Sequence, residues 1–246
     1  MVIANSNYRW LLRAWNPKSD ILNSGLIMVF RNRDEAARLL AERLITYRDQ
    51  NPLILAIPRG AVPMAHILAE ALEGEMDVVL VHKLGAPGQP ELAIGSVDER
   101  GQVYVGDHAA GLGAGDEYIA REKKAQMKIL KSRRAQYTPV HPPIDPMGRV
   151  VIVVDDGIAT GATMVSALRA VRVQNPRKLI AATAVASREA LEMIRGLADE
   201  VVCLKVPEIF YAVGQFFLEF PQVSDEEVVT LLRQSRSKAG NVNRSA

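Results

Sequence analysis

The sequence predicts an α/β fold with a mostly parallel sheet flanked by helices on both faces. Short apolar runs rich in Val and Ile alternate with helix-length stretches along most of the chain, which is the pattern of βα units. The run over residues 150–154 consists of Val and Ile alone, as in a parallel strand buried on both faces. With 246 residues, of which 48% are apolar and 24% charged, the chain can bury one sizeable core. We therefore predict a single domain over residues 26–236.

The two ends of the chain show little regular patterning. Residues 1–25 are polar and lack the apolar core of a secretory signal, so we predict a disordered extension there. Residues 237–246 are predicted to form a disordered tail. No apolar run approaches the ~18 residues that a membrane span needs. We therefore expect no membrane partner.

Charge and cysteine content bear on the class of protein. The formal net charge is +2, which gives little reason to expect a nucleic-acid partner. Basic residues between positions 121 and 134 are typical of a solvated helix face, although they leave anion or nucleic-acid binding open. The single cysteine, Cys203, excludes an internal disulfide and fits a reducing cytoplasm. Because Cys203 lies in an apolar run, we interpret it as a buried strand residue and not as a nucleophile.

The N-terminal half of the domain predicts alternating helices and strands. Asn32 and Glu35 have the spacing of a capping box at the start of a helix. The segment over residues 84–90 is rich in Gly and Pro, which indicates irregular structure. The predicted elements are a helix over 33–49, a strand over 53–57, a helix over 62–73, a strand over 77–82, paired strands over 91–97 and 102–105, and a long charged helix over 116–137.

The C-terminal half continues the alternation after a proline-rich connection over residues 138–148. Ser187 and Ser224 are each predicted to cap the start of a helix. The predicted elements are a strand over 150–154, a helix over 162–173, a strand over 178–185, a helix ending near 197, a strand over 200–206 and a terminal helix to about 233.

Two adjacent acids and a run of small residues follow the strand over residues 150–154. Asp155 and Asp156 come where this strand would leave the sheet, and residues 157–163 lead into the next helix. In open α/β folds, ligands bind beyond the carboxyl ends of the strands, often where free N–H groups at a helix N-terminus hold a phosphate. Glycine lets the backbone approach such a phosphate closely. Because paired acids could also hold a diol, the pattern indicates a site for a ribose 5-phosphate.

This stretch, VVIVVDDGIATGATM, resembles the phosphoribosyl-pyrophosphate loop of the type I phosphoribosyltransferases. A receiver-domain aspartate pair is a weaker match, since receiver domains lack the TGAT cradle. A nucleoside-triphosphate loop is disfavoured because no Lys follows Gly161. The resemblance implies the type I phosphoribosyltransferase fold, with a flexible lid loop and a small hood. It implies that the phosphoribosyl group is bound by Asp155, Asp156, Gly157, Ile158, Ala159, Thr160, Gly161, Ala162 and Thr163.

The same resemblance assigns the pyrophosphate side of the donor. In this family the loop after the first core strand binds pyrophosphate, and Arg59 and Gly60 match that position. A basic residue also ends the strand before the lid, which matches Lys83, and residues 84–103 match the lid itself. A closed lid would protect a water-sensitive intermediate. By themselves these residues also fit a surface arginine and an ordinary hairpin with a solvated lysine, and both interpretations stay open.

Residues 206–222 match the hood. They hold four of the five phenylalanines of the chain and a Val-Pro-acid sequence that resembles the hood of purine phosphoribosyltransferases. Phe210 or Tyr211 would stack on the base, with Val213 near the base edge. Aromatic stacking suits any nucleobase. Packing in the core explains the aromatic residues equally well.

Two positions bear on the identity of the acceptor. The 6-oxopurine enzymes carry an acid where this chain has Ala159, and the adenine enzymes carry a Glu in a lid sequence where this chain has Ala93. Neither purine class matches. The acceptor therefore stays open as a nucleobase-like nitrogenous compound.

The resemblance also implies the chemistry. The catalytic residues would be Asp155, Asp156, Lys83 and Arg59. The acids would fix the ribose and favour the positive charge that develops at C1, while the two cations and a Mg²⁺ ion would neutralise the leaving pyrophosphate. We expect Mg²⁺ to be held mainly by substrate oxygens and water, with no direct protein ligands. The implied partners are phosphoribosyl pyrophosphate and the acceptor, and the resemblance also admits a homodimer.

We therefore expect a cytoplasmic phosphoribosyltransferase that moves a 5-phosphoribosyl group to a nucleobase-like acceptor and releases pyrophosphate. Two alternatives stay open on the same fold. One is a non-catalytic regulator that senses the donor or a nucleotide, which the basic residues between 121 and 134 would suit. The other is a hydrolase of the same donor, with water as the acceptor.

Overall fold

A computed structural model describes residues 29–106 and 109–242 of the chain. The described residues form eight strands and six helices. The strands are β1 (Leu53–Ala56), β2 (Glu75–Val78), β3 (Val81–Ala86), β4 (Gln89–Asp98), β5 (Val103–Val105), β6 (Val150–Ile158), β7 (Lys178–Ala186) and β8 (Glu200–Lys205). The helices are α1 (Arg33–Arg43), α2 (Val62–Ala71), α3 (Asp116–Tyr137), α4 (Ala162–Arg172), α5 (Arg188–Arg195) and α6 (Asp225–Val242).

Five strands form an all-parallel main sheet in the order β2-β1-β6-β7-β8. The chain runs outward from β1 to β2 and later returns to place β6 on the other side of β1, with Ala56 opposite Val154. The order therefore reverses between β1 and β6. In open α/β sheets this reversal leaves a crevice at the carboxyl ends of the two strands, which is where ligands bind.

Helices cover both faces of the main sheet, as the sequence predicts. Side chains alternate along a strand, so Ile152 and Val154 pack into the core that includes α1 and α2, while Val151 and Val153 pack against α4 and α5. All four side chains are buried, which explains why β6 is a continuous β-branched run in the sequence. The predicted α/β class with a mostly parallel sheet is confirmed.

A second, antiparallel sheet in the order β3-β4-β5 packs against α3 and α4. Two predictions fail here. The strand predicted over residues 77–82 is split, because β2 ends at Val78 on the main sheet and β3 begins at Val81 on the second one. Residues 84–90 are not irregular, since β3 and β4 meet at a tight turn in which Gly88 has φ +71°.

Most of residues 84–103 belongs to a β-sheet. The paired strands predicted over 91–97 and 102–105 are confirmed as β4 and β5, and β3 joins them where a loop was predicted. A lid role for these residues stays a prediction. The glycines that suggested a loop have a packing role within the strands. Gly85 lies at a register shift between β3 and β4, and Gly95 lies so close to the Tyr104 carbonyl that a Cβ would overlap it. Glycine in a strand often marks such a bulge or close backbone approach.

Arg134 on α3 ties the second sheet to the main one. Its Nε lies 2.5 Å from Glu99 Oε2 and its Nη2 lies 2.6 Å from Glu99 Oε1, while Nη1 is 3.6 Å from the buried Asp77 carboxylate. Burial raises the pKa of Asp77 above its ordinary value, and Arg134 opposes that shift. These residues line one side of a cavity of about 320 Å³ between the two sheets.

Several element boundaries differ from the sequence prediction. The first helix ends at Arg43 and continues as a 3₁₀ helix, Ile45–Gln50. The last helix runs to Val242, so residues 237–242 are helical where a disordered tail was predicted, while 243–246 and the predicted extension over 1–25 lie outside the described residues. The long charged helix over 116–137 and the helix cap at Ser187 are confirmed. Within the described ranges, each helix is too short or too polar to cross a membrane.

Candidate active site

Asp155 and Asp156 lie at the crevice where the strand order reverses. The sequence predicts that the strand ends before these acids, but β6 continues to Ile158. It does so through pairs with β7 that include Asp155 opposite Thr183. The acids are therefore held in register by the sheet and are not part of a free loop. This fixed backbone gives the two carboxylates a defined direction before any ligand arrives.

Gly60 brings the loop after β1 against Asp156. A Cβ on Gly60 would overlap the Asp156 carboxylate, so only glycine allows this close approach. The peptide bond between Pro58 and Arg59 in the same loop is cis. The two loops that the family resemblance assigns to pyrophosphate and ribose thus meet at one point.

Arg33 at the start of α1 holds the Asp156 carboxylate. Its Nε donates a hydrogen bond of 2.8 Å to Asp156 Oδ2, and both residues are buried, at 8% and 9% exposure. No sequence pattern identifies Arg33, which lies far from the acids along the chain and has no motif of its own. Only the tertiary structure reveals the pair.

Burial raises the pKa of both acids. The pKa of Asp155 lies well above its usual range, first because protein surrounds the carboxyl and second because Asp156 lies beside it. For Asp156 burial again dominates, while the hydrogen bond from Arg33 opposes the shift. The pair therefore resists carrying two negative charges in the free protein. Hydroxyl donors, or a positive charge that develops nearby, would stabilise the ionised form.

The predicted phosphate cradle is open to solvent. Ala159, Thr160 and Thr163 are exposed, and Gly161 takes the left-handed conformation with φ +78° immediately before α4. Gly161 offers no side chain to cap the helix, which leaves the first-turn N–H groups of α4 available to an anion.

Ser187 supports the cradle from behind. Its hydroxyl donates to the Ala159 carbonyl at 2.7 Å and accepts from the Ala190 N–H at 3.0 Å. The sequence predicts Ser187 only as a helix cap. The same hydroxyl also fixes the backbone of the cradle, a role that no local pattern signals.

Arg59 is paired with the last helix. Its Nη1 lies 3.3 Å from Asp225 Oδ2, and Asp225 Oδ1 also accepts from the Tyr137 hydroxyl at 3.1 Å. Burial, followed by the hydrogen bond to Asp225, raises the pKa of Tyr137 to about 12. Arg59 is therefore held at the edge of the crevice by α6, and its exposure of 41% leaves it accessible to an anion.

Lys83 lies on the second sheet. It sits within β3, opposite Ser96, so the predicted position at the end of a core strand is wrong. The strand β3 packs against α4, the helix that begins at the cradle. A role for Lys83 at the pyrophosphate stays a prediction.

The hood segment, residues 206–222, folds onto the end of β6. Val213 packs so closely on Gly157 that a Cβ there would overlap the valine side chain. Gln215 closes the segment, because its Oε1 accepts from the N–H groups of Tyr211 and Ala212 at 2.9 and 3.0 Å. Phe210 packs on Phe216 with ring centroids 5.3 Å apart, whereas Tyr211 is 84% exposed. The aromatic residues are thus divided between core packing and an accessible position.

Asp155 and Asp156 are the carboxylates of the crevice, and carboxylate oxygens are a ligand type that Mg²⁺ accepts. Within residues 29–106 and 109–242, no group of three or more His, Cys, Asp and Glu side chains could hold a metal ion. Magnesium binds readily through substrate phosphates and water with few protein ligands.

Comparison with known proteins identifies the family. A family model described as the phosphoribosyl transferase domain matches residues 30–220. The chain belongs to this family. The matched region includes α1, the loop after β1, the acids of β6, the start of α4 and the segment up to Phe220.

The chain is also similar to proteins from two bacteria. The chain is 36% identical over 222 residues to two proteins of Mycobacterium tuberculosis, strains CDC 1551 and H37Rv, that are provisionally named phosphoribosyl transferases. The match covers 89% of this chain and 50% of each relative, so the chain spans about half the length of these curated relatives. The crystal structure of TT1426 from Thermus thermophilus is 44% identical, with a TM-score of 0.76, and the match covers 84% of this chain and 99% of that one.

Replacing Asp155 with Asn should stabilise the free protein. A carboxyl whose pKa is raised on folding lowers the stability of the protein once it ionises. This cost grows as the pH rises above the pKa of the unfolded state, near 3.8, and levels off above the pKa of the folded state. Asn is neutral and can still accept the N–H of Asp156, which donates to Asp155 Oδ1 at 2.9 Å. We expect a gain of about 0.5–2 kcal/mol in the free energy of unfolding at neutral pH.

Urea unfolding of Asp155→Asn between pH 4 and 8 measures this gain, with Asp49→Asn at an exposed site as the control. The gain should shrink toward pH 4. A gain that does not depend on pH, or one that the control shares, would contradict the assigned cost of ionising a buried carboxyl beside Asp156.

Packing of the hood on β6 can be tested with a compensating pair. Gly157→Ala should destabilise the protein by about 1–3 kcal/mol, because the new methyl group overlaps Val213. Val213→Ala removes the two methyl groups nearest to the new Cβ, so the double variant should regain part of the loss. Thermal unfolding of the four proteins gives the coupling energy, and strictly additive effects would show that the two residues do not touch.

Proposed function

We propose that this protein transfers a 5-phosphoribosyl group from phosphoribosyl pyrophosphate to a nucleobase-like nitrogenous acceptor and releases pyrophosphate. One observation supports this most strongly. Gly60 of the proposed pyrophosphate loop contacts Asp156 of the proposed ribose site, and both lie at the point where the strand order reverses. A donor that carries a phosphate, a diol and a pyrophosphate matches this arrangement of groups.

In the proposed reaction the cradle anchors the donor. The free N–H groups at the start of α4 hold the 5-phosphate, while Asp155 and Asp156 accept hydrogen bonds from the ribose hydroxyls. Loss of pyrophosphate leaves positive charge at C1, and the nearby carboxylates stabilise that charge. Anchoring both sides of C1 also orients the donor for attack by the acceptor.

The leaving group requires positive charge on the other side of the crevice. Arg59 and Gly60 contact the pyrophosphate in this proposal, and Lys83 approaches from the second sheet. When bound, Mg²⁺ neutralises part of the pyrophosphate charge. Arg59 must exchange its contact with Asp225 for one with the pyrophosphate, which its partial exposure permits.

The acceptor would lie beneath the hood. The exposed ring of Tyr211 is the better candidate for stacking on a base, since Phe210 packs on Phe216. Val213 sits on Gly157 and would place the hood over C1 of the donor. Because Ala159 stands where 6-oxopurine enzymes carry an acid, the acceptor need not be such a purine.

The single, half-buried thiol of Cys203 fits the cytoplasmic location that we propose.

Pyrophosphate release across a panel of nucleobases and other nitrogenous acceptors tests the proposal, with donor and Mg²⁺ present. We expect turnover with at least one acceptor and a loss of about 100-fold or more in kcat/KM for Asp156→Asn, because the ribose is no longer held. The exposed Asp49→Asn is the matched control and should behave as the wild type.

The products separate the alternatives. Ribose 5-phosphate formed without any acceptor would indicate a hydrolase. Donor binding without turnover would indicate a regulator. Absence of both binding and turnover, in wild type and variant alike, would contradict the proposed function.

A further inference from the structure

We propose that Arg33 is a positioning residue that couples the hood to the ribose-binding carboxylate. This inference rests on the proposed function, because it assigns Asp156 to the donor and the hood to the acceptor. It adds a residue that belongs to neither donor loop. Arg33 would make the two substrate sites respond to each other.

One guanidinium group makes three contacts in three directions. Arg33 Nε donates to Asp156 Oδ2 at 2.8 Å, and Nη1 donates to the Pro221 carbonyl at 2.7 Å. Its Cζ lies 3.8 Å from the centre of the Phe220 ring. The third nitrogen, Nη2, lies 3.4 Å from where a Cβ on Gly60 would be. A planar fork that also stacks on a ring is specific to arginine, since a lysine cannot make these contacts together.

The hood end of this connection is well defined. Phe220 stacks on Phe217 with ring centroids 4.9 Å apart and also packs near Gly214, where a Cβ would lie 3.2 Å from its Cδ1. Gly214 follows Val213, which packs on Gly157. The hood is therefore attached to β6 twice, directly through Val213 and indirectly through Phe220, Arg33 and Asp156.

The backbone next to Arg33 fixes its position relative to the hood. Phe30 donates its N–H to the Phe216 carbonyl at 2.8 Å and accepts from Leu218 at 2.9 Å, and Arg31 accepts from Glu219 at 2.9 Å. The residues just before α1 thus run beside the end of the hood. A movement of the hood would therefore shift Arg33 and disturb its contact with Asp156. A movement of Asp156 would in turn disturb the contact of Arg33 with the hood.

Coupling of this kind has a reciprocal consequence. If donor binding fixes Asp156, then Arg33 should transmit that order to Phe220 and the hood. Conversely, loosening the hood should weaken donor binding. The factor by which hood order strengthens donor binding equals the factor by which the donor favours the ordered hood. A residue that only stabilised the fold would change both states equally and would not alter the response of the hood to the donor.

Two measurements test the proposal: hydrogen–deuterium exchange of residues 206–222 with and without phosphoribosyl pyrophosphate and Mg²⁺, and donor affinity by calorimetry. In the wild type, donor should slow exchange in the hood. Arg33→Met should weaken donor binding by about 10- to 100-fold, as expected for loss of orientation, and should abolish the donor-induced protection. Arg38→Met, at an exposed arginine on the same helix, is the control and should leave both unchanged.

Two further variants keep the test independent of folding defects. Arg33→Lys retains the charge and should recover part of the donor affinity without restoring protection of the hood. Phe220→Leu removes only the stacking surface and should reduce protection, with a smaller loss of donor affinity. Circular dichroism and thermal unfolding verify that each variant is folded.

The outcomes separate failure of this inference from failure of the proposed function. If the wild type does not bind the donor, the proposed function fails and the coupling fails with it. If the wild type binds the donor, the coupling is overturned when the Arg33 variants match Arg38→Met. It is also overturned if Phe220→Leu leaves the donor-induced protection intact.

Discussion

The candidate site depends on the burial of one carboxylate, that of Asp156. A buried acid stays ionised only when a partner offsets its loss of hydration, and Arg33 supplies that partner at 2.8 Å. The same carboxylate lies against Gly60, at the carboxyl ends of β1 and β6. Four parts of the chain therefore meet at Asp156: α1, the loop after β1, the end of β6 and, through Arg33, the hood.

Two glycines make this meeting possible. Gly60 lets its loop touch the Asp156 carboxylate, and Gly157 lets Val213 rest on the strand, in places where any other residue would overlap its neighbour. Glycine at these two positions thus serves close packing, whereas Gly161 serves a left-handed turn before α4. The arrangement also places two acids with raised pKa values side by side in one crevice, a combination found at many functional sites.

The sequence predicts the parts of the fold that depend on local pattern. The β-branched run of β6, the charged helix α3 and the cap at Ser187 follow from periodicity and helix signals. It does not predict contacts between distant segments, such as Arg33 with Asp156 or Arg59 with Asp225, because no local spacing encodes them. The pairing of β4 with β5 follows from the alternating pattern of the sequence. The strand β3 and its turn into β4 are missed for a different reason, since Gly and Pro over residues 84–90 suggested a loop although they serve a turn and close packing.

A crystal structure with phosphoribosyl pyrophosphate and Mg²⁺ would show directly where the donor binds. We expect the 5-phosphate at the start of α4, the ribose hydroxyls at Asp155 and Asp156, and the pyrophosphate beside Gly60, with Arg59 turned away from Asp225. A donor bound elsewhere, for example in the cavity between the two sheets next to Arg134, would contradict this placement.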